Sequence, residues 1–227
     1  MRLLGVLAGV LAGLVMMGGA EAQPARDWRT VTVKAASGGF QIGNPKARVT
    51  LVEYVSYTCP HCGHFVEESK APLHDGLVRT GQVRVEIRNF VRDPLDLASA
   101  LLARCGGTAR FARQHALIFA NQKALLDKAM AFQAKPDSFK DATTIEVRLR
   151  RIAAGSGLTA LMTRSGLTAQ QADRCLVDPA ARGELVAATE KVQGRIQGTP
   201  SFEIDGNLLA ANSWAEVEPP LRQALQR

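Results

Sequence analysis

Apolar and polar positions divide the chain into stretches of different period. Residues 47–57, "ARVTLVEYVSY", are rich in β-branched and aromatic side chains and apolar on both alternating faces. That is the pattern of a strand covered on both sides. "GNPK" before it is a turn signal, and "GFQIG" ahead of that turn predicts a short edge strand. After residue 59 the period lengthens. Phe65, Val66, Leu73, Leu77 and Val78 share a helix face, with Pro72 expected to kink the run or start a second segment. "TGQ" at 80–82 ends it, and "VRVEIRNFV" at 83–91 alternates as a second strand. Strand, helix, strand at this spacing is a βαβ unit, which makes its two strands parallel.

From Pro94 to Arg195 no strand pattern occurs. The helical patterns "LDLASALLARC", "ARFARQHALIFANQKALL", "IEVRLRRIAAG" and "ARGELVAATEKVQGRI" are punctuated by Gly106-Gly107, "AKPDS" and Gly155 to Gly157. Next comes "GTPSFEIDGNLLA", where Phe202 and Ile204, then Leu208 and Leu209, flank Asp205-Gly206, a strong hairpin signal. "WAEVEPPLRQALQR" closes the chain, with Leu221 and Leu225 at helical spacing after a start at Pro219-Pro220. The order βαβ, helical block, ββα is that of an α/β chain with an insertion. There is no internal repeat or low-complexity tract.

The first residues change the picture of where the chain works. Met1 and Arg2, an apolar run from Leu3 to Met17 and small residues ending in "AEA" at 20–22 read as a secretory signal peptide cleaved after Ala22. A membrane anchor is the alternative, but the run is short and no stop-transfer flank follows. The remaining chain of about 205 residues suits one domain, or one domain carrying an insertion, and can bury a full core. The formal charge of +7 comes from arginines spread along the chain without a block resembling a nucleic-acid arm. A basic soluble surface is expected, with no nucleic-acid partner.

Four cysteines stand at 59, 62, 105 and 175. An even count in an exported chain suggests two disulfides. In "YTCPHCGHF", Cys59 and Cys62 could anchor haem, hold a metal, staple the fold or react. Covalent haem needs C-x-x-C-H, and Gly63 occupies the histidine position. Structural zinc needs four ligands, whereas Cys59, His61, Cys62 and His64 crowd into six residues with no second cysteine pair. A structural disulfide across two residues closes too small a loop to stabilise much. Redox chemistry is the favoured reading.

Cys59 falls where a strand ends and a helix begins, and the unpaired N–H groups and dipole of a helix start stabilise an anion. Cys62 lies one turn further in, at a spacing that suits an intramolecular disulfide, with Pro60 fixing the backbone at the helix start. His61 would add a donor, and a cation when protonated, near the Cys59 sulfur. A thiol pKa lowered from ~8.5 to ~3.5 would favour the reduced form by on the order of 7 kcal/mol and make the disulfide a strong oxidant.

"GNPKARVTLVEYVSYTCPHCGHF" and "GTPSFEIDG" resemble two stretches of the DsbA-type thiol–disulfide oxidoreductases of the thioredoxin superfamily. The resemblance runs from about Phe40 to the C-terminus. It implies a thioredoxin fold with an inserted helical domain: 23–39 an extended lead-in, 40–93 the first half of the fold, 94–195 the insertion and 196–227 the second half. It implies that Cys59 is the nucleophile, Cys62 the resolving partner, and Pro60 and His61 tune the potential. Pro200 would be a cis-proline, with Thr199 offering backbone hydrogen bonds to an extended substrate. Glu53, six residues before Cys59 in an apolar strand, is costly to bury unless function retains it. In the resembled family an acid there helps shuttle the proton of the buried cysteine, and burial should raise its pKa.

Cys105 and Cys175 are expected to form the second disulfide, as in some members of the family; two separately buried thiols are the alternative. The implied activity is that of a periplasmic, monomeric dithiol oxidase. It would act on reduced or unfolded exported proteins, need no metal or cofactor beyond its own disulfide, and be reoxidised by a membrane quinone-linked thiol oxidase. A reductase or isomerase of the same fold and a Cys/His metal-binding carrier are the alternatives.

Overall fold

The computed structural model describes residues 26–227. The signal-peptide reading of residues 1–22 lies outside the described residues. Six strands form one sheet: β1 (Thr32–Lys34), β2 (Phe40–Gly43), β3 (Val49–Val55), β4 (Val83–Asn89), β5 (Ser201–Ile204) and β6 (Asn207–Leu208). Their order is β1-β2-β4-β3-β5-β6. β3 and β4 are parallel, as the βαβ pattern requires, and the other neighbours are antiparallel.

β3 is the central strand and all of it except Thr50 is buried. Leu51 and Val55 point into the main core with Phe65, Val85, Ile87 and Phe202, while Val52 and Tyr54 meet Val192 and Ile196 on the opposite face. That two-sided burial is why its sequence carries no polar face. The Asp205-Gly206 turn joins β5 to β6 with both residues at positive φ, the two-residue hairpin turn their types favour.

The sheet departs from expectation at its other end. β2 is not an edge strand: it lies between β4 and β1. The outer strand β1 comes from the segment read as an extended lead-in. Its three residues are too few, and too exposed, to show a period.

Helix α1 (Pro60–Ser69) follows β3 and continues as a π-helical segment, Lys70–Val78. Pro72 falls inside that segment, whose wider turn appears in the Arg79 N–H donating to the His74 carbonyl, five residues back. α2 (Pro94–Arg104) opens the helical insertion, and every residue from Leu95 to Ala103 is buried. Its alanines and serine let neighbours pack all round it, as a fully enclosed helix requires. The insertion continues with α3 (Phe111–Ala120), α4 (Gln122–Gln133), α5 (Ile145–Gly155), α6 (Leu158–Arg164), α7 (Ala169–Leu176) and α8 (Pro179–Val192). Cys105 and Cys175 are joined, tying the end of α2 to α7 across 70 residues of chain.

Two helices differ from their sequence pattern. The run 109–126 is one helical pattern but breaks at Asn121, whose side chain bonds back to the Leu117 carbonyl at 2.8 Å. α9 spans Trp214–Leu225 with Pro219 and Pro220 inside it, so the proline pair does not mark its start. Trp214, Val217 and Leu221 are buried on one face. Their burial outweighs the hydrogen bonds that the prolines cannot donate.

Candidate active site

Ser56 to Cys59 form the turn that carries the chain from β3 into α1. Cys59 is the N-cap residue and Pro60 the first residue of the helix, where a missing N–H costs nothing. The Cys59 carbonyl accepts from the N–H groups of Cys62 (3.1 Å) and Gly63 (3.3 Å), which closes the first turn. Cys59 and Cys62 are both free thiols and both buried.

The Thr199–Pro200 bond is cis, and the Cys59 thiol donates to the Thr199 carbonyl at 3.0 Å. Pro60, Thr199 and Pro200 therefore meet around one sulfur. Beside it opens a groove of about 690 Å³, lined by His61, Arg195, Thr199, Pro200, Leu208 and Leu209 among others.

The two thiols are driven apart in acidity. Cys59 is pulled down to about 4, chiefly by the hydrogen bond from the Cys62 thiol. Burial opposes this, while the Thr199 side chain and the main-chain N–H groups of Cys62 and His61 reinforce it. Cys62 is pushed up, first because its proton is held in the bond to Cys59 and then by burial. One sulfur therefore carries the charge and the other keeps the proton. What residue 61 supplies to the sulfur is its backbone N–H. Its imidazole stands exposed on the groove wall, a difference from the donor role the sequence suggested for it.

Glu53 lies on β3, opposite Phe202 of β5 and Ile87 of β4. It is 1% exposed and both carboxylate oxygens lack a hydrogen-bond partner. Burial alone pushes its pKa up to about 8, so it is largely protonated at neutral pH.

Sequence reasoning missed two supports of the turn. Asp96 of α2 is fully buried and accepts from the Ser56 hydroxyl (2.6 Å), the Tyr57 N–H (2.8 Å) and the Arg92 N–H (3.1 Å). Burial outweighs these donors and raises its pKa to about 7. Its place after "DP" disguised it as a helix-start acid. Gln122 of α4 donates to the Tyr57 and Cys59 carbonyls. The one available signal was Gly63, a glycine inside a helix, which often marks a close approach.

Among the described residues no group of three or more His, Cys, Asp or Glu side chains is gathered as for a metal. His64 is exposed and faces Glu68 at 3.6 Å. No helix among the described residues is long and apolar enough to cross a membrane.

With the paired thiols, the cis-proline loop and the interrupted βαβ–ββα sheet in place, comparison with known proteins is direct. A family model described as Thioredoxin matches residues 35–221. The chain belongs to the thioredoxin family. This thioredoxin-family chain is 37% identical to the crystal structure of a protein-disulfide isomerase from Novosphingobium aromaticivorans. That match covers 82% of this chain and 97% of the other, with a TM-score of 0.75. The fold is also that of α-DsbA1 from Wolbachia pipientis, at 20% identity and a TM-score of 0.56, over 82% of this chain and 90% of that one. It is the DsbA-like form of the thioredoxin fold, with its helical insertion. A protein named as a protein-disulfide oxidoreductase in Rickettsia conorii is 28% identical over 179 residues, 78% of this chain and 56% of its own length. The chain thus spans less than two thirds of the length of the curated relatives it matches.

Proposed function

We propose that this protein is an exported dithiol oxidase that passes its Cys59–Cys62 disulfide to reduced or unfolded proteins in the periplasm, acting as a monomer. The apposition of Cys59, at the start of α1, to the cis Thr199–Pro200 bond carries this reading.

A client thiolate attacks Cys59 Sγ. The Cys59–Cys62 bond breaks, a client–Cys59 bond forms, and Cys62 leaves with the electron pair and takes up a proton. Glu53, protonated near neutral pH and buried on the strand leading to the site, is the proposed proton store for Cys62. A second client thiolate then attacks the client sulfur of the mixed disulfide. The client disulfide forms and Cys59 departs as the thiolate its surroundings favour. Two electrons have moved from client to protein, and no metal or added cofactor takes part. Thr199 and Pro200 border the groove in which an extended client segment would lie. Reoxidation requires a two-electron acceptor, and a membrane quinone-linked thiol oxidase is the acceptor proposed.

The test is oxidation of a reduced, unfolded client by the oxidised mature protein. Wild type should transfer its disulfide and Cys59→Ser should not. Cys62→Ser, first loaded at Cys59 as a mixed disulfide with glutathione, should pass to a client–Cys59 mixed disulfide as glutathione leaves, seen without reductant. Undiminished oxidation by Cys59→Ser would contradict the reading.

A second reading, that of an isomerase, is favoured by the likeness to the protein-disulfide isomerase from Novosphingobium aromaticivorans. The reduction potential separates the two: an oxidase should lie well above thioredoxin, at about −270 mV.

A further inference from the structure

Gln122 is the first residue of α4, and its buried side chain reaches from the helical insertion to the loop that carries the reactive sulfur. Its amide nitrogen donates to the Tyr57 carbonyl at 3.0 Å and to the Cys59 carbonyl at 2.8 Å. Two carbonyl partners on one nitrogen fix which way the amide points. Gly63 closes the other side: a Cβ there would lie 2.2 Å from Gln122 Oε1 and 3.1 Å from its Cδ. Only a residue without a side chain leaves the amide its place. The break at Asn121 completes the arrangement, because it starts α4 with Gln122 over the turn.

We propose that Gln122 is a positioning residue that sets how readily Cys59 ionises and so couples the helical insertion to the redox site. This rests on the reading of Cys59 as the reacting thiolate. Gln122 makes no hydrogen bond to the sulfur among the described bonds; it acts through the backbone. The Cys59 carbonyl is the negative end of a peptide dipole on the residue that must hold an anion, and the Tyr57 carbonyl is a second, two residues earlier. The amide hydrogens of Gln122 offset both. Pro60 has no N–H, so the sulfur depends on donors further along, from His61 and Cys62. Those peptide groups are oriented from the Cys59 carbonyl onward, and that carbonyl is the one Gln122 holds. Without the amide, the Tyr57 carbonyl loses this donor and the Cys59 carbonyl keeps only the N–H groups of Cys62 and Gly63 from its own helix, so the turn is freer to rotate its donors off the sulfur.

The test uses the mature protein, reduced, with three substitutions that disturb the amide differently. Gln122→Met keeps length but donates nothing, Gln122→Glu adds negative charge, and Gly63→Ala displaces the amide from the opposite side. The ultraviolet absorbance of the Cys59 thiolate is titrated against pH, and the exchange equilibrium with glutathione is measured alongside. The midpoint should rise by on the order of one unit in Gln122→Met and further in Gln122→Glu. It should rise in Gly63→Ala as well. The equilibrium should shift about tenfold toward retaining the disulfide for each unit. A purely structural role would lower stability and leave both readouts in place. A low wild-type midpoint that none of the three substitutions moves overturns the role of Gln122 alone. A wild-type midpoint like that of free cysteine overturns the reading of the site, and this proposal with it.

Discussion

The Cys59 sulfur donates a hydrogen bond to the Thr199 carbonyl oxygen at 3.0 Å. A carbonyl accepts from a thiol but not from a thiolate, so this contact by itself favours the protonated form. The Cys62 thiol, the Thr199 side chain and the backbone N–H groups of His61 and Cys62 favour the anion, and their sum prevails. The acidity of Cys59 is therefore a balance of opposed contacts around one atom.

The first consequence concerns the potential. Above about pH 4 the reduced site holds one proton, on Cys62, where an unperturbed dithiol would hold two up to about pH 8. Reduction then takes up one proton for two electrons. The potential should fall by about 30 mV per pH unit between about pH 5 and 8, against about 60 mV for an ordinary dithiol. Glutathione equilibria measured across that range check the slope.

Glu53 carries a stability signature. Its carboxyl ionises near 8 when folded and near 4.5 in its ordinary state. The folded form binds the extra proton, so the stabilisation is complete below about pH 4.5, declines as pH rises, and is gone above about 8. The full loss is up to about 5 kcal/mol. Glu53→Gln removes this dependence. Urea unfolding of the oxidised proteins should show the variant gaining on wild type as pH rises from about 5 to 9. Equal slopes for the two proteins would contradict the placement of this carboxyl.

Asp96 should act on the turn. Replacing it with alanine leaves the Ser56 hydroxyl and the Tyr57 and Arg92 N–H groups without their acceptor, three donors beside the sulfur-bearing loop. A loss of about 2–5 kcal/mol is expected, with Asp96→Asn intermediate because it keeps one acceptor oxygen. Chemical denaturation of both variants measures it.

The Cys105–Cys175 bond closes a loop across 70 residues and lies outside the groove. Its removal by paired alanine substitution should cost ~4 kcal/mol in the chain-entropy account. The exchange equilibrium of the Cys59–Cys62 pair should stay where it was. A shifted equilibrium would mean that the two disulfides communicate.

Much of this arrangement was legible in the chain. β3 and β4 are long enough to show their burial pattern, the Cys59–Cys62 pair sits at a strand-to-helix junction, and Asp205-Gly206 names its own turn. What escaped was tertiary. β1 is three residues in a polar stretch, and only pairing with β2 makes it a strand. The break at Asn121 interrupts an unbroken apolar period, so nothing local separates α3 from α4. Asp96 looks like an ordinary helix-start acid, and Gln122 like a polar residue in the middle of one helix. Their roles come from what lies across the fold, carbonyls in one case and N–H groups in the other.

The central claim is that Cys59 is an anion at neutral pH while Cys62 keeps its proton. Titration of thiolate absorbance in the reduced protein, with Cys62→Ser and Cys59→Ser as assignments, tests it most directly. The account predicts a midpoint at about 4 that disappears in Cys59→Ser. A midpoint at ~8.5, the ordinary value of a free thiol, would contradict it.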